Sequence, residues 1–249
     1  MKDEILEKRA NEFRILQGIG LNDCVPLKSL LYKLDVLTVF RPLSDSLSGM
    51  AIKITDQGST NRFILVNSNK SVGNQHFTIC HELYHLYVQD DFTSQVCQTG
   101  RFLKTDREEY NADVFASHLL LPEQGIKSLI PDKEFGKNKI SLSTILKIEH
   151  FFCCSRAALL YRLKEMKIID RELYDQYAVD VKREALQTGY NIDLYQPGNH
   201  NLVVGDYGPI ARDLFENEKI SENFYFTLLM ELGMNTEELE NLENRENEG

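Results

Sequence analysis

Two histidines separated by three residues, with a glutamate directly after the first, constrain this chain more than any other feature. They lie in the segment His81-Glu82-Leu83-Tyr84-His85. Side chains four positions apart lie on one face of a helix, so the imidazoles of His81 and His85 can bind the same zinc ion. Glu82 would lie beside that ion, where it can accept a proton from a water molecule. The spacing therefore predicts a helix that carries a catalytic zinc site, which is typical of metallopeptidases.

The residues on either side of this motif favour a buried helix. Thr78-Ile79-Cys80 precedes it and Leu86-Tyr87-Val88 follows it, and all six residues are uncharged. A motif that arose by chance on a solvated helix would more often have charged neighbours. The alternative, an ordinary helix that contains two unrelated histidines, is therefore less favoured.

A catalytic zinc ion needs a third protein ligand, and Glu109 is the candidate. It lies on a helix that we predict to begin at Thr105, because Thr105 and Glu108 have the spacing of a capping box. Glu108 is the main rival, but capping would turn its carboxylate towards the helix start. Asp113 lies one turn beyond Glu109, where it can accept a hydrogen bond from a ligand imidazole. The alternative is that Glu109 is only a first-turn acid favoured by the helix dipole.

The first half of the chain alternates helical and β-type patterns. Apolar periodicity predicts helices at 3–17, 27–34 and 74–88. Short runs of β-branched or aromatic residues predict strands of a small antiparallel sheet at 36–40, 50–54 and 62–66. Residues 89–105 are predicted to form a polar loop, and Pro122 ends the helix that follows. This order predicts an α+β fold with a zincin-like metallopeptidase core over residues 1–130.

Three segments of the chain together resemble the ImmA/IrrE family of zinc metallopeptidases. They are the helix segment Phe77 to His85, the segment Glu109 to Ala116, and Leu119-Leu120-Leu121-Pro122. The similarity extends over about residues 25–170. It implies that His81, His85 and Glu109 bind a single Zn²⁺ ion. It also implies that Glu82 is the catalytic base.

The family pattern also includes a strand that ends in asparagine before the metal helix, here Asn67. The strand 62–67 is predicted to pair with an extended substrate through backbone hydrogen bonds, and Asn67 to take part in substrate binding. Two positions depart from the family pattern. Gln75-His76 stand where relatives often have a basic residue, which would change substrate binding, and Tyr84 stands where glycine is common, which would crowd the metal.

The resemblance implies a regulatory function. Proteins of this family cut a helix-turn-helix repressor and so release the genes that it controls, in bacteria, phages and mobile elements under stress. The predicted function is therefore a zinc-dependent endopeptidase with such a repressor as its substrate. The alternative is a transcriptional regulator that binds DNA or a partner and has a structural or non-catalytic zinc site. A component of a toxin–antitoxin module is a weaker third interpretation.

Residues 131–172 are predicted to form a helix-turn-helix-like element. A helix through Phe151 is followed by a turn at Cys153-Cys154, and Ser155 is the N-cap of a helix over 156–167. Eight Lys or Arg residues and three Glu lie between positions 133 and 167, which permits DNA contact. Direct DNA binding is still not favoured, because the chain as a whole has a formal net charge of −10.

The remaining residues receive no chemical role. Residues 173–235 are predicted to be a C-terminal α/β region, with a strand pair around Pro197-Gly198-Asn199 and helices at 210–215 and 222–232. Residues 236–249 are predicted to be an acidic tail.

The cysteines and the hydropathy pattern predict the compartment. The five cysteines form an odd set without CxxC spacing, which favours reduced thiols in the cytoplasm. The chain shows neither a basic leader with an apolar core nor a run near 18 apolar residues, so we expect a cytoplasmic protein without membrane association.

Overall fold

The computed structural model describes residues 3–56, 58–97, 99–100, 102, 106–231 and 233. These residues form eleven α-helices, five β-strands and two short 3-10 helices, Asp132–Glu134 and Asp193–Tyr195. The predicted α+β class is confirmed. The helices are α1 (Asp3–Leu16), α2 (Leu27–Lys33), α3 (Val72–Tyr87), α4 (Arg107–Leu120), α5 (Glu123–Leu129), α6 (Leu142–Phe152), α7 (Arg156–Glu165), α8 (Arg171–Tyr177), α9 (Val181–Gln187), α10 (Tyr207–Glu216) and α11 (Glu222–Glu231). The strands are β1 (Val36–Arg41), β2 (Gly49–Asp56), β3 (Ser59–Asn67), β4 (Ser94–Cys97) and β5 (Val203–Val204).

The sheet has the strand order β4-β2-β3-β1-β5 and is mixed. β2 and β3 form an antiparallel hairpin, whereas β1 runs parallel to β3, with Val36 opposite Arg62 and Arg41 opposite Asn67. The prediction of a purely antiparallel sheet is therefore wrong for this pair. Alternation of apolar and polar residues indicates that a segment is a strand, but it does not reveal the direction of the neighbouring strand.

Strand β4 lies within the segment that was predicted to be a polar loop. It pairs antiparallel with β2, with Cys97 opposite Gly49, and forms one edge of the sheet. The four residues of β4 are too few for a clear periodic pattern. Their strand conformation depends on pairing with β2, so the sequence of the segment alone did not reveal it.

The metal-motif helix α3 lies between the sheet and α4. It contacts β2 and β3 on one side and α4 on the other, and α1 contacts α4. Its beginning also lies close to the turn between α6 and α7: a Cβ atom on Gly73 would be 2.7 Å from the backbone nitrogen of Ser155. Only glycine permits this approach, so Gly73 sets how closely α3 packs against that turn.

The pair α6 and α7 has the predicted helix-turn-helix-like form. Cys153 adopts a left-handed conformation with φ 52° and ends α6, and the Ser155 hydroxyl accepts a hydrogen bond from the backbone N–H of Ala158 at 3.2 Å. Two of the basic residues of this element are buried, not exposed. Arg156 forms an ion pair with Glu149, and Arg162 donates a hydrogen bond to the Leu121 carbonyl.

The predicted strand pair around Pro197 is wrong. Its first half contains the 3-10 helix Asp193–Tyr195, and its second half contains β5, which pairs antiparallel with β1. A single short strand is sufficient here because β1 offers an open edge that can complete its backbone hydrogen bonds. The side chain of Gln75 on α3 also donates to the Gly198 carbonyl at 3.0 Å. Part of the region 173–235 therefore belongs to the sheet against which α3 packs. The proposed division into domains stays a prediction.

Some sequence-based predictions fall on parts of the chain that are not described. Thr105 and the acidic tail 236–249 lie outside the described residues. Helix α4 is capped by Asp106, whose carboxylate accepts hydrogen bonds from the backbone N–H groups of Glu108 and Glu109. Among the helices that are described, none has the length and apolar character that a bilayer crossing would need.

Candidate metal centre

Three side chains from two helices converge on one point. His81 and His85 on α3 have their Nε2 atoms 3.1 Å apart. Glu109 on α4 places Oε2 3.3 Å from the Nε2 atom of His81, and Oε1 3.3 Å from that of His85. In a tetrahedral zinc site with bonds of about 2.1 Å, neighbouring ligand atoms are about 3.4 Å apart. The three side chains therefore lie at about the spacing that one zinc-sized ion requires, with a different oxygen of Glu109 next to each imidazole.

The other ring nitrogen of each histidine is held by a hydrogen-bond acceptor. His81 Nδ1 lies 2.9 Å from Asp113 Oδ1, and this carboxylate also accepts the backbone N–H groups of Gly100 and Phe102, each at 2.8 Å. His85 Nδ1 contacts Gln89 Oε1. These acceptors fix the ring orientations, so that both Nε2 atoms face the centre. Gln89 was not among the residues predicted for the site, although its position four residues after His85 was a usable indication.

The electrostatics of the centre favour a cation. Burial alone would lower the pKa of His81, but hydrogen bonds to Asp113 and Glu109 outweigh it and raise the pKa to about 10. Burial would raise the pKa of Glu109, but hydrogen bonds to His81 and His85 outweigh it and lower the pKa to about 2. The centre therefore holds a positive charge strongly, and a metal ion can take the place of the proton.

Glu82 lies on the same helix and is fully buried. Its Oε1 atom has no hydrogen-bond partner among the described residues. Burial raises the pKa of this carboxyl group. The neighbouring strand leaves it little room, since a Cβ atom on Gly49 would lie 3.1 Å from Oε1. A buried carboxylate oxygen without a partner is costly, and its position beside the two histidines suits a group that exchanges a proton with a ligand at the centre.

Cys97 on β4 also lies at the centre, although the sequence did not indicate it. Its Sγ atom lies 3.4 Å from Glu82 Oε2 and 3.7 Å from Glu109 Oε1. Burial, followed by the carboxylates of Glu82 and Glu109, raises the pKa of this thiol. From the sequence, Cys97 was expected to be a reduced thiol in a loop. No local pattern could reveal its place, because it depends on the pairing of β4 with β2.

The sequence of this chain also matches a model of a known protein family. The Peptidase_M78 model, described as an IrrE N-terminal-like domain, matches residues 32–164, just over half of the 249 residues. The chain belongs to the ImmA/IrrE family of metallopeptidases. The matched range includes α3, β4 and α4, and hence every residue of the centre. No curated protein sequence matches the chain.

At one position the departure from the family pattern has a structural explanation. Tyr84 was expected to crowd the metal, and this stays a prediction: its ring lies edge-on to that of His85, with the ring centroids 5.6 Å apart. Its hydroxyl donates to Glu108 Oε2 at 2.7 Å, and its ring packs beside Phe115 with the ring centroids 5.7 Å apart. The same hydrogen bond engages the Glu108 carboxylate, which is not among the donors that converge with the two histidines in the described part of the chain.

The substrate role predicted for Asn67 does not agree with its surroundings. The side chain is fully buried, donates to the carbonyls of Ser44 and Leu47, and accepts from the backbone N–H of Leu43 and Asn69. Its amide is therefore engaged by the loop between β1 and β2 and by the turn that follows β3. Strand β3 cannot pair with a substrate either, because β2 and β1 occupy its two edges.

Proposed function

We propose that this protein is a zinc-dependent endopeptidase that cleaves a helix-turn-helix transcriptional repressor. The observation that carries the proposal is the convergence of His81, His85 and Glu109 beside the buried, unpartnered carboxylate oxygen of Glu82. Two imidazoles and one carboxylate at tetrahedral spacing are a donor set of catalytic zinc sites in peptidases. Zinc is therefore the metal that this centre favours.

The residues of the chain have distinct parts in the proposed hydrolysis. His81, His85 and Glu109 would hold the zinc ion, which would supply a Lewis acid for the scissile carbonyl and for a water molecule. Glu82 accepts the proton of that water and returns it to the leaving amine. Asp113 and Gln89 orient the two imidazoles, which keeps the centre in place during the reaction.

Membership of the ImmA/IrrE family supports a repressor as the substrate. The alternative is direct DNA binding through α6 and α7. The contacts of two basic side chains in these helices argue against it. Arg156 is engaged by Glu149 and Glu184, and Arg162 is buried against α4 and the carbonyl of Leu121. Neither guanidinium is available to a phosphate backbone, although both contribute to the local basic excess.

The test uses purified protein with one equivalent of zinc and candidate helix-turn-helix repressors, sought first among the products of the genes beside its own. We expect a single cleavage, which mass spectrometry of the products locates. Glu82→Gln should lower the rate about 10²- to 10⁴-fold, because general acid–base catalysis contributes that much, while the bound zinc remains stoichiometric. Glu172→Gln, at an exposed position on α8, is the matched control and should cleave at the unaltered rate.

Two results would count against the proposal. Cleavage by Glu82→Gln at the rate of the unaltered protein would refute the peptidase mechanism. Sequence-selective duplex binding at physiological salt, without cleavage of any repressor, would favour the DNA-binding regulator.

A further inference from the structure

Cys97 lies in the metal centre, yet the hydrolysis proposed above has no use for it. Its thiol is fully buried and contacts Glu82 and Glu109. Backbone pairing between β4 and β2 fixes the position of Cys97. Cys97 is opposite Gly49 in the β4–β2 pair, and its carbonyl accepts the backbone N–H of Ser48 at 3.0 Å. The thiol is therefore held at the centre by the sheet.

The distances suit a fourth ligand. In a tetrahedral zinc site, a sulfur at about 2.3 Å and a carboxylate oxygen at about 2.1 Å from the ion are about 3.6 Å apart. The Sγ atom of Cys97 lies 3.7 Å from Glu109 Oε1. The four donor atoms of His81, His85, Cys97 and Glu109 all lie within 4.8 Å of one another.

A second observation, independent of the thiol, indicates that this space receives a ligand. Glu82 Oε1 is buried at the same centre and has no partner among the described residues. Buried polar atoms in native proteins nearly always have a partner, which can be an ion or a molecule at the site. The centre beside Cys97 thus contains a buried acceptor that a bound group can satisfy.

We propose that the Cys97 thiolate is a fourth protein ligand of the metal and keeps the peptidase in a latent state. The inference rests on the proposed function, because latency presupposes a peptidase. Catalytic zinc sites have three protein ligands and leave the fourth position to water or substrate, whereas four protein ligands close the site. With Cys97 bound, Glu82 has no water to activate, so the unaltered protein cleaves only through the fraction of molecules in which the metal–sulfur bond has opened.

Opening of the site requires only exchange of a ligand. When the metal–sulfur bond forms, the thiol proton is released to solvent; when the bond breaks, sulfur regains a proton and the fourth position becomes free. No oxidant or reductant is consumed. Strand β4 has four residues and lies at an edge of the sheet, so it can separate from β2 while the β2–β3 and β1–β3 pairs remain intact.

The test replaces zinc by Co²⁺ in the full-length protein and records its absorption spectrum. A thiolate bound to cobalt gives a charge-transfer band in the near ultraviolet, so we expect this band in the unaltered protein. Cys97→Ala and Cys97→Ser should each bind one equivalent of cobalt without the band. Their affinity for metal should fall at least about ten-fold, since loss of an outer-shell partner alone costs about 10- to 100-fold. Cys80→Ala is the matched control and should keep the band, because Cys80 is equally buried on α3 but is not one of the four donors.

The repressor-cleavage assay on the same variants tests latency. Both Cys97 variants, loaded with zinc, should cleave faster than the unaltered protein, and Cys80→Ala should not. A cobalt spectrum without a thiolate band, or a band that survives in the Cys97 variants, would overturn the ligand assignment. A lost band without faster cleavage would overturn latency. Failure of the proposed function is a separate result, in which no variant cleaves any repressor although the cobalt spectra show thiolate ligation.

Discussion

Asp113→Asn is the substitution whose effect can be worked out most fully from the structure. The Asp113 carboxylate accepts three hydrogen bonds: Oδ1 accepts from His81 Nδ1 and the backbone N–H of Gly100, and Oδ2 accepts from the backbone N–H of Phe102. An asparagine has only one oxygen with which to accept them. If this oxygen takes the place of Oδ1, the amide NH₂ group meets the N–H of Phe102, and two donors face each other.

The expected losses follow from these contacts. One hydrogen bond to a charged acceptor contributes about 1.5–3 kcal/mol, so the free energy of unfolding of the metal-free protein should fall by that order. The neutral amide is also a weaker acceptor for His81, and outer-shell changes of this kind weaken metal binding about 10- to 100-fold. This is equivalent to about 1.4–2.8 kcal/mol of binding free energy.

Chelator competition measures the zinc affinity, and urea titration of the metal-free protein measures the free energy of unfolding. Asp175→Asn is the control: its ion pair with Arg171 is exposed on α8 and should contribute less than about 1 kcal/mol. A zinc affinity of Asp113→Asn within two-fold of the unaltered value would refute the reasoning that Asp113 positions the His81 ligand. An unchanged urea midpoint would show that the loop contacts of Asp113 do not stabilise the fold.

Two further predictions concern stability. Gly49→Ala should lower the free energy of unfolding by about 1–3 kcal/mol in urea titrations, because its Cβ atom would lie 2.8 Å from the Leu65 carbonyl and 2.7 Å from Thr78 Cγ2; an unchanged midpoint would contradict the close approach. His118 is the second case: burial, followed by the charge of Arg162, lowers its pKa to about 3 from 6.5. The folded state thus binds this proton less readily than the unfolded chain, so stability is full above pH 6.5 and is lost as the pH falls towards 3. At pH 5 this should lower the free energy of unfolding by about 2 kcal/mol relative to pH 7. Urea titrations at the two pH values measure this difference, and His118→Gln should reduce it by about the same amount. Equal pH dependence in the two proteins would contradict this interpretation.

The centre shows which parts of the protein could be predicted from the sequence. The placement of His81 and His85 follows from helical geometry, in which residues four apart share a face whatever the rest of the chain does. The same holds for Ser155, whose cap depends only on the next three residues. The choice of Glu109 needed a resemblance to known proteins in addition to the spacing, because its distance from the histidines depends on how two helices pack.

The tertiary structure alone decided the features that depend on strand pairing. The parallel β1–β3 pair, the attachment of β5 to β1 and the entry of Cys97 into the centre all arise from backbone hydrogen bonds between distant segments. Backbone groups are alike in every residue, so a short segment carries little information about its partner, its direction or its register. The local sequence of this protein therefore determined which side chains a helix presents to a metal, and the assembled sheet determined which further side chain meets them there.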